Sequence, residues 1–303
     1  MLRRFSLVAA LLALSSCSST EEVSFAATPG LDLSASQATV AQTTALLTAA
    51  LQQAGPVSIV ASVDHAANAS GAGLTLRPTR VVLFGNPALG TPLMQANQQA
   101  GLDLPQKMLV YQDGDGFTIV GYNTTAYLAA RHGVGGVAAL DQIDAALSTF
   151  AAAAVPTPSN QARNGVSGIA RGQGVVTVAS QNSVADTVGR LKSAIEGNDN
   201  LVLVAELDHA ANAASVGMEL RPTVLLVFGN PNLGTPLMQA SRTTAIDLPQ
   251  KMLVYEGASG AVTIAYNDPA FLASRHGITG QDDTLATISN ALAMLASGAA
   301  RGD

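Results

Sequence analysis

Residues 104–111 read LPQKMLVY, and residues 248–255 read LPQKMLVY again. The repeat extends outward from this segment at a constant offset of 144 residues, so that 43 of the 77 positions from 57 to 133 match their counterparts without a gap. Residues 30–150 can therefore be laid over residues 174–297, and one small domain occurs twice in the chain. Two copies are too few for a solenoid, so we predict a pair of globular domains.

Changes in composition along the chain indicate where these domains begin and end. A segment rich in Pro, Ser, Asn and Gly lies between the copies and is typical of a linker. We predict a signal peptide at 1–16, a lipidated tether at 17–29, a first domain at 30–151, a linker at 152–173 and a second domain at 174–298. Each domain is long enough to build its own hydrophobic core.

The repeated segment predicts the first strand of a β-hairpin in each domain. In the first domain the turn sequence DGDG at 113–116 follows it, and an apolar returning strand runs over residues 117–122. The alternation of side chains along a strand places Lys107, Leu109 and Tyr111 on one face. We expect Tyr122 of the returning strand to share this face, with Arg77 closing a polar groove beside it.

Helical patterns lie between the predicted strands. In the second domain Val184, Val188, Leu191 and Ile195 recur at the spacing of one face of an amphipathic helix. We expect helices capped by Thr39, Ser183, Asp64 and Asp208, and two more that begin at Thr91-Pro92 and Thr235-Pro236. Interspersed helices and strands with a clear hairpin predict an α+β fold, in which each domain has two layers, a largely antiparallel sheet and helices on one of its faces. We expect the two repeats to form an intramolecular pseudo-dimer.

The beginning of the chain has the pattern of an export signal. Arg3 and Arg4 precede an apolar run over residues 5–14 that is too short to span a bilayer, and small residues lead to Cys17. The pattern resembles the lipobox of bacterial lipoproteins, and that resemblance implies cleavage before Cys17 and acylation of its thiol and amine. An ordinary secretory signal is the alternative. Ser18 after the cysteine resembles a signal for outer-membrane delivery, so we expect a lipid-anchored protein of the bacterial cell envelope that faces the periplasm.

Composition excludes several classes of protein. The chain has 15 basic and 21 acidic residues and a net charge of -6, whereas a nucleic-acid-binding protein needs a basic surface. Cys17 is the only cysteine, so the domains have no disulfide and depend on their cores for stability. No Walker, dinucleotide-binding, zinc-protease or nucleophile-elbow motif is present, and we expect no cofactor.

The order of several short motifs resembles a known bacterial family. A strand that ends in Asn86-Pro87 is followed by Leu104-Pro105 and a hairpin strand, and the same order returns at Asn230-Pro231 and Leu248-Pro249. These features resemble the domain-of-unknown-function 302 family across both repeats. The resemblance implies a compact two-layer α+β fold and implies no activity, substrate or catalytic residue.

Three groups of side chains are candidates for a binding site. The histidines next to Asp64 and Asp208 can supply part of a metal site, but zinc wants three or four ligands and no spacing provides them, so we expect no metal. The glycine-asparagine-proline loop at 85–87 precedes a helix and can form the wall of a pocket. The candidate ligand-binding residues are Asn86, Lys107, Tyr111, Tyr122 and His65 in the first copy and Asn230, Lys251, Tyr255, Tyr266 and His209 in the second.

Each candidate also has a structural interpretation. The histidines and the Arg131-His132-Gly133 sequence are typical of helix ends, the loop at 85–87 of a turn, and the tyrosines of the edge of a core. The leading hypothesis is a non-enzymatic envelope protein that binds a small ligand or a partner protein. The alternatives are an envelope enzyme that uses His65/His209, Lys107/Lys251 and Tyr122/Tyr266, and a structural envelope component.

Overall fold

The fold is taken from a computed structural model, which describes residues 23–25 and 27–302. Cys17, with the predicted signal peptide and lipidation site, lies outside the described residues. The elements of the first repeat, with the linker, are β1 (Leu31–Ser36), α1 (Val40–Gln53), β2 (Ser58–Asp64), α2 (His65–Gly71), β3 (Thr79–Gly85), α3 (Pro87–Ala96), a 3₁₀ turn (Gln98–Leu102), β4 (Gln106–Gln112), β5 (Thr118–Asn123), α4 (Thr125–His132), α5 (Ala139–Ala154) and β6 (Gln161–Arg163).

The second repeat has the same order of elements. They are β7 (Val175–Ser180), α6 (Val184–Glu196), β8 (Val202–Asp208), α7 (His209–Ser215), β9 (Thr223–Gly229), α8 (Pro231–Ala240), a 3₁₀ turn (Arg242–Ile246), β10 (Gln250–Glu256), β11 (Val262–Asn267), α9 (Pro269–His276) and α10 (Asp282–Ala300).

Each repeat forms one antiparallel sheet. The strand order is β2-β3-β4-β5-β1-β6 in the first sheet and β7-β11-β10-β9-β8 in the second. β4 and β5 pair as the expected hairpin, with Val110 opposite Val120. The prediction of two α+β domains with antiparallel sheets and helices on one face is confirmed.

Helices cover one face of each sheet and the other repeat covers the opposite face. In the first repeat the helix-covered core joins Leu47 and Leu51 of α1 and Ile143 of α5 to Val82 and Met108 of the sheet. α6 and α10 form the corresponding core with the second sheet. The chain is therefore layered as helix, sheet, sheet and helix.

A third core lies between the two sheets. It contains Leu31, Leu33 and Leu109 of the first sheet together with Leu225 and Leu253 of the second, all fully buried. Full burial of a leucine stabilises a fold by about 1.5–3 kcal/mol, so the two sheets hold each other together through this apolar layer.

Local sequence signals explain most helix ends. The side chains of Thr39, Ser183, Asp64 and Asp208 accept hydrogen bonds from the first turns of α1, α6, α2 and α7, which confirms the predicted caps. Gly133 ends α4 in the left-handed conformation, with φ of 65°, as the basic residues before it predict.

The predicted start of α3 and α8 was wrong. These helices begin at Pro87 and Pro231, because Asn86 and Asn230 accept from the backbone amides of Ala88 and Asn232. Proline fits the first helical position because its missing N–H would have no partner there. The prolines of Thr91-Pro92 and Thr235-Pro236 lie inside the helices.

Two further segments differ from expectation. Part of the predicted linker forms β6, which pairs with β1 and extends the first sheet. The end of the predicted tether packs on the domains, because Val23 and Thr28 are buried. Thr28 contacts the hydroxyl of Thr243 in the second repeat over 3.2 Å.

Candidate functional site

A cavity of about 350 Å³ lies beside the glycine-asparagine-proline loop of the first repeat. Asn86 and Phe84 form one wall, and Ile143 and Phe150 of α5 form another. The wall opposite belongs to the second repeat, where His209 stands at the start of α7. The cavity is therefore composite and needs both repeats.

The second repeat has an equivalent cavity of about 130 Å³. Asn230 and Phe228 take the places of Asn86 and Phe84, and Ile288 of α10 lines the helix side. The opposite wall contains His65 at the start of α2 in the first repeat. Each histidine therefore lines the cavity of the other repeat, and the two cavities follow the internal symmetry of the chain.

Buried polar atoms without hydrogen-bond partners recur in both cavity walls. Within the part of the chain that the structure describes, they are Thr91 Oγ1, Gln106 Nε2 and His209 Nε2 at the first cavity, and Thr235 Oγ1, Gln250 Nε2 and His65 Nε2, with Gln250 Oε1 in addition, at the second. A buried donor or acceptor without a partner costs about 1–3 kcal/mol. Three such groups at equivalent positions in two copies indicate a shared use for them.

Both cavity histidines are neutral at physiological pH. Burial lowers the pKa of His65 to about 4, against the opposing effects of backbone hydrogen bonds to Leu248 and Ala245 and of the charge on Asp64. Burial likewise lowers the pKa of His209 to about 4, opposed by a backbone hydrogen bond to Gly101 and by Asp208. A neutral ring offers a ligand one donor or one acceptor rather than a charge.

A cluster of buried charges lies between the two sheets. Asp103 Oδ2 is 2.8 Å from both Arg131 Nη1 and His132 Nε2, and Asp103 Oδ1 is 3.7 Å from Lys107 Nζ. Burial acts to raise the pKa of Asp103, but Arg131, His132 and Lys107 outweigh it and hold this pKa well below its usual range. Asp103 is therefore a carboxylate at neutral pH.

The second repeat builds the same cluster around Asp247. Its Oδ2 lies 2.7 Å from Arg275 Nη1 and 2.9 Å from His276 Nε2. Burial opposes the charge here too, and Arg275 and His276 overcome it, so that the pKa of Asp247 is strongly lowered. Burial in turn lowers the pKa of His276.

The arginines of these clusters reach across to the other repeat. Arg131 Nη2 donates to the Gly174 carbonyl over 3.1 Å, and its guanidinium lies 4.8 Å from the centre of the Phe271 ring. Arg275 donates to the Pro29 carbonyl over 3.0 Å and stacks 3.9 Å from the centre of the Tyr127 ring. Each arginine thus joins its own aspartate to the backbone and an aromatic ring of the other copy.

Glycine is required where these carbonyls approach the rings. Gly30 has φ of 74° and Gly174 has φ of 65°, in the left-handed region that favours glycine. A Cβ atom at Gly30 would come within 2.7 Å of Tyr127, and one at Gly174 within 2.0 Å of Phe271. These two positions let the first strand of each repeat enter beside the arginine of the other.

The two repeated lysines meet at the centre of the interface. Lys107 and Lys251 are 4% and 3% exposed, and within the described chain Lys107 Nζ has no hydrogen-bond acceptor. Lys251 Nζ donates to the backbone carbonyl of Asp247 over 3.2 Å. Burial, and next the charge of Lys107, lower the pKa of Lys251 to about 7 against the attraction of Asp247 and Asp103.

The predicted candidates fall into three separate places. The asparagine and histidine candidates line the cavities, Asn86 and His209 the first and Asn230 and His65 the second. Lys107 and Lys251 lie in the charge cluster. Tyr111 packs in the core between the sheets, and Tyr255 accepts a hydrogen bond from Gln99 Nε2 over 3.2 Å across the interface.

The expected polar groove on the hairpin does not form, and the prediction that Tyr122 shares a face with Lys107 was wrong. Tyr122 is paired directly with Met108, and directly paired residues of antiparallel strands point to the same face. Its hydroxyl donates to Asp32 Oδ2 over 3.1 Å. Tyr266 pairs with Met252 in the same way, and Arg77 donates to the hairpin-loop carbonyl of Asp113 over 2.6 Å.

This separation affects the enzyme alternative. His65 and His209 belong to the cavities, Lys107 and Lys251 to the interface between sheets, and Tyr122 and Tyr266 to the helix-covered faces. The structure does not bring the three residue types together in either copy. The histidines of α4 and α9, which the sequence places at helix ends, are buried against aspartates there.

Sequence reasoning missed the residues that organise the interface. Asp103, Asn123 and Tyr127 were not singled out, although Asp103 and Asn123 are identical to Asp247 and Asn267. The available signal was an acidic residue kept in both copies next to the repeated LPQKMLVY segment.

Two further properties concern metals and membranes. Across residues 23–25 and 27–302, no three side chains of histidine, cysteine, aspartate or glutamate come together as metal ligands. Asp64, which precedes the candidate ligand His65 in the sequence, instead caps α2 and lies 2.6 Å from Arg80. Among the helices of the described residues, none has both the length and the apolar character that crossing a bilayer requires.

Comparisons with known proteins identify relatives of both repeats. A family model described as "Domain of unknown function DUF302" matches residues 33–152 and again residues 176–295. A crystal structure of an uncharacterized conserved protein DUF302 from Bacillus stearothermophilus matches 43% of this chain and 99% of that chain, with a TM-score of 0.39 and 19% sequence identity.

Curated relatives match one part of the chain. Fluoride-specific ion channel FluC 1 of Brucella suis biovar 1 (strain 1330) is 44% identical over 105 residues, which are 35% of this chain and 41% of that protein. FluC 1 of Brucella abortus biovar 1 and FluC 2 of Brucella melitensis biotype 1 are also 44% identical over 105 residues, which cover 38% of each. The chain thus spans about two fifths of the length of these relatives.

Proposed function

The chain belongs to the family described as domain of unknown function DUF302, and on that premise we propose that it is a lipid-anchored envelope protein that binds a small molecule in two equivalent cavities. The observation that carries the proposal is that each cavity joins the asparagine loop of one repeat to the histidine of the other. A cavity of about 150 Å³ lined by apolar side chains is large enough for benzene. The first cavity, of about 350 Å³, exceeds this volume and suits a more extended molecule, and the second, of about 130 Å³, is slightly smaller and suits only a compact ligand.

The test counts binding sites in the full chain. Ala146 of α5 and Ala291 of α10 line the first and second cavities and are partly buried. Ala146→Trp and Ala291→Trp each fill one cavity, so each reduces the number of sites from two to one and the double variant abolishes binding. Small molecules that remain bound after purification from membranes are identified by native mass spectrometry, and their stoichiometry is measured by calorimetry.

Matched controls lie on the same helices. Ala145 and Ala293 are exposed neighbours that do not line the cavities, so Ala145→Trp and Ala293→Trp leave both sites open. Binding that persists in the Ala146→Trp and Ala291→Trp double variant places the ligand elsewhere and contradicts the proposal.

Anchoring by Cys17 is tested in cells. We expect the wild-type chain in the membrane fraction with an acylated amino terminus, and a Cys17→Ser variant that is released from the membrane. An uncleaved chain with a free Cys17 thiol contradicts this part of the proposal and leaves the cavities unaffected.

The Brucella relatives favour a second candidate function. Because 105 residues of this chain are 44% identical to part of proteins named fluoride-specific ion channels, the domain pair is proposed as an accessory of a membrane transport protein. Cells that lack this chain are then expected to grow less well than wild-type cells in fluoride, and as well as wild-type cells in chloride at equal concentration. Equal growth of wild-type and deletion strains in fluoride removes this candidate.

A further inference from the structure

We infer that the two cavities select an uncharged, largely apolar molecule that carries one hydrogen-bonding group, such as an alcohol, a phenol or a primary amide. The inference rests on the proposed function and specifies the class of ligand. Its basis is the set of unpartnered polar groups that each cavity repeats, a threonine and a glutamine from one repeat and a histidine from the other.

Charge in the cavity walls argues against an anionic ligand. Among the described residues, no lysine or arginine lines either cavity. An anion that leaves water needs a cation or several hydrogen-bond donors in return. The histidines do not supply that charge, because burial keeps both of them neutral.

The acidic side chains of the first cavity do not make it a cation site. Glu206 and Asp208 line this cavity, but Glu206 Oε2 is 2.9 Å from Lys192 Nζ and Asp208 caps α7. No acidic residue lines the second cavity within the described part of the chain. A cation would therefore be recognised at only one of two otherwise equivalent sites.

The polar groups define what the ligand must offer. The Nε2 atoms of His65 and His209 are buried and have no partner in the described structure, and a neutral ring with its proton on Nδ1 leaves Nε2 free to accept. In this tautomer Nε2 suits a ligand O–H or N–H donor. Gln106 Nε2 and Gln250 Nε2 are donors that suit a ligand oxygen.

The threonine hydroxyls complete the set. Thr91 and Thr235 are each 1% exposed and their Oγ1 atoms lack partners in the described structure. A hydroxyl and a terminal amide can turn about their last bonds, so a ligand in the cavity can recruit them without a change in the backbone. One hydroxyl or amide on the ligand can engage several of these groups at once.

The experiment compares four probes of similar size on the full chain at neutral pH. Phenol carries a neutral hydroxyl, toluene has no polar group, benzoate is an anion and benzylamine is a cation. We expect phenol to bind about tenfold more tightly than toluene, which corresponds to one net hydrogen bond. Benzoate and benzylamine are expected to bind more weakly than toluene.

Near-isosteric variants link this preference to the named groups. Thr91→Val with Gln106→Met removes the first cavity's threonine and glutamine groups, and Thr235→Val with Gln250→Met removes those of the second. With all four substitutions only the histidine acceptors remain, and phenol affinity is expected to fall several-fold toward that of toluene. Unchanged toluene binding shows that the variant is folded and its cavities are open.

The possible contrary results separate the two proposals. Tighter binding of benzoate or benzylamine than of phenol overturns the ligand class and leaves the cavities as binding sites. Equal binding of phenol and toluene would mean that the polar groups of the cavities bond to water rather than to the ligand, and this result also overturns the proposed ligand class. If none of the probes binds, or if Ala146→Trp and Ala291→Trp do not affect binding, the proposed function fails together with the proposed ligand class.

Discussion

Arg131 of the first repeat donates a hydrogen bond from Nη2 to Asn267 Oδ1 of the second repeat over 2.8 Å. The equivalent bond from Arg275 Nη2 to Asn123 Oδ1 measures 2.7 Å. Each arginine thus donates to the asparagine of the other repeat and is also paired with the aspartate of its own repeat. Elsewhere in the same interface α2 contacts α8 and α7 contacts α3, and these contacts complete the cavities.

Removal of one crossed arginine is expected to be severely destabilising. Arg131→Leu leaves Asp103 buried without its strongest partner, and the loss of one member of a buried ion pair costs about 3–5 kcal/mol. Urea denaturation of the full chain measures this change. Arg80→Leu is the matched control, because Arg80 and Asp64 lie 2.6 Å apart with 40% and 32% of their side chains exposed. We expect the control to lose less than about 1 kcal/mol, and similar losses in both variants contradict the assignment.

Acid is expected to destabilise the protein through the cavity histidines. Their folded pKa of about 4 lies below the ordinary value of 6.5, so the unfolded chain binds more protons between these values. Stability therefore falls as the pH decreases from 6.5 to 4, by roughly 3 kcal/mol for each histidine.

The His65→Asn and His209→Asn double variant tests this source of pH dependence. In this variant the free energy of unfolding should lose most of its dependence on pH between 6.5 and 4. A smaller dependence should remain from His276, whose pKa burial also lowers. Denaturant midpoints at intervals across this range provide the measurement. A slope equal to that of the wild type would show that other groups cause the acid sensitivity.

Alkaline conditions are expected to stabilise the interface. The pKa of Lys251 is lowered from 10.5 to about 7, so between these values the unfolded chain holds a proton that the folded chain releases. Stability then rises with pH, by roughly 3 kcal/mol from pH 7 to 9.5. Lys251→Met removes the titrating group, and the stability of this variant should not change with pH over this range.

Lys192→Met is the control for this alkaline effect. Lys192 is an exposed lysine that lies 2.9 Å from Glu206, outside the interface between the sheets. The control should keep the wild-type rise in denaturant midpoint between pH 7 and 9.5. A wild-type profile that is flat or falls with pH is the result that excludes a neutral Lys251 in the folded protein.

The parts of the fold that were predictable depend on short-range patterns. The repeat, the hairpin that begins at Gln106, and the caps at Thr39 and Asp64 all follow from neighbouring residues. The Thr91-Pro92 pattern predicts the start of α3 five residues too late, because it has the same local chemistry as the true start at Asn86-Pro87. The cap that forms is Asn86, whose side chain accepts from the backbone amide of Ala88.

The site was less predictable because its parts are distant in sequence. Asp103 and Arg131 are separated by 28 residues, and Arg131 and Asn267 by 136. No periodicity within one repeat indicates that His209 completes a cavity beside Asn86. The sequence singled out both residues, but only the packing of the two sheets brings them together.

The most direct test of the composite cavities is an NMR measurement of phenol bound to the full chain. We expect intermolecular NOEs from the phenol ring to the Ile143 methyl groups of the first repeat and to the His209 ring of the second, together with the equivalent pair Ile288 and His65. NOEs that connect phenol to residues of one repeat only, or to a surface outside these two cavities, would contradict the account.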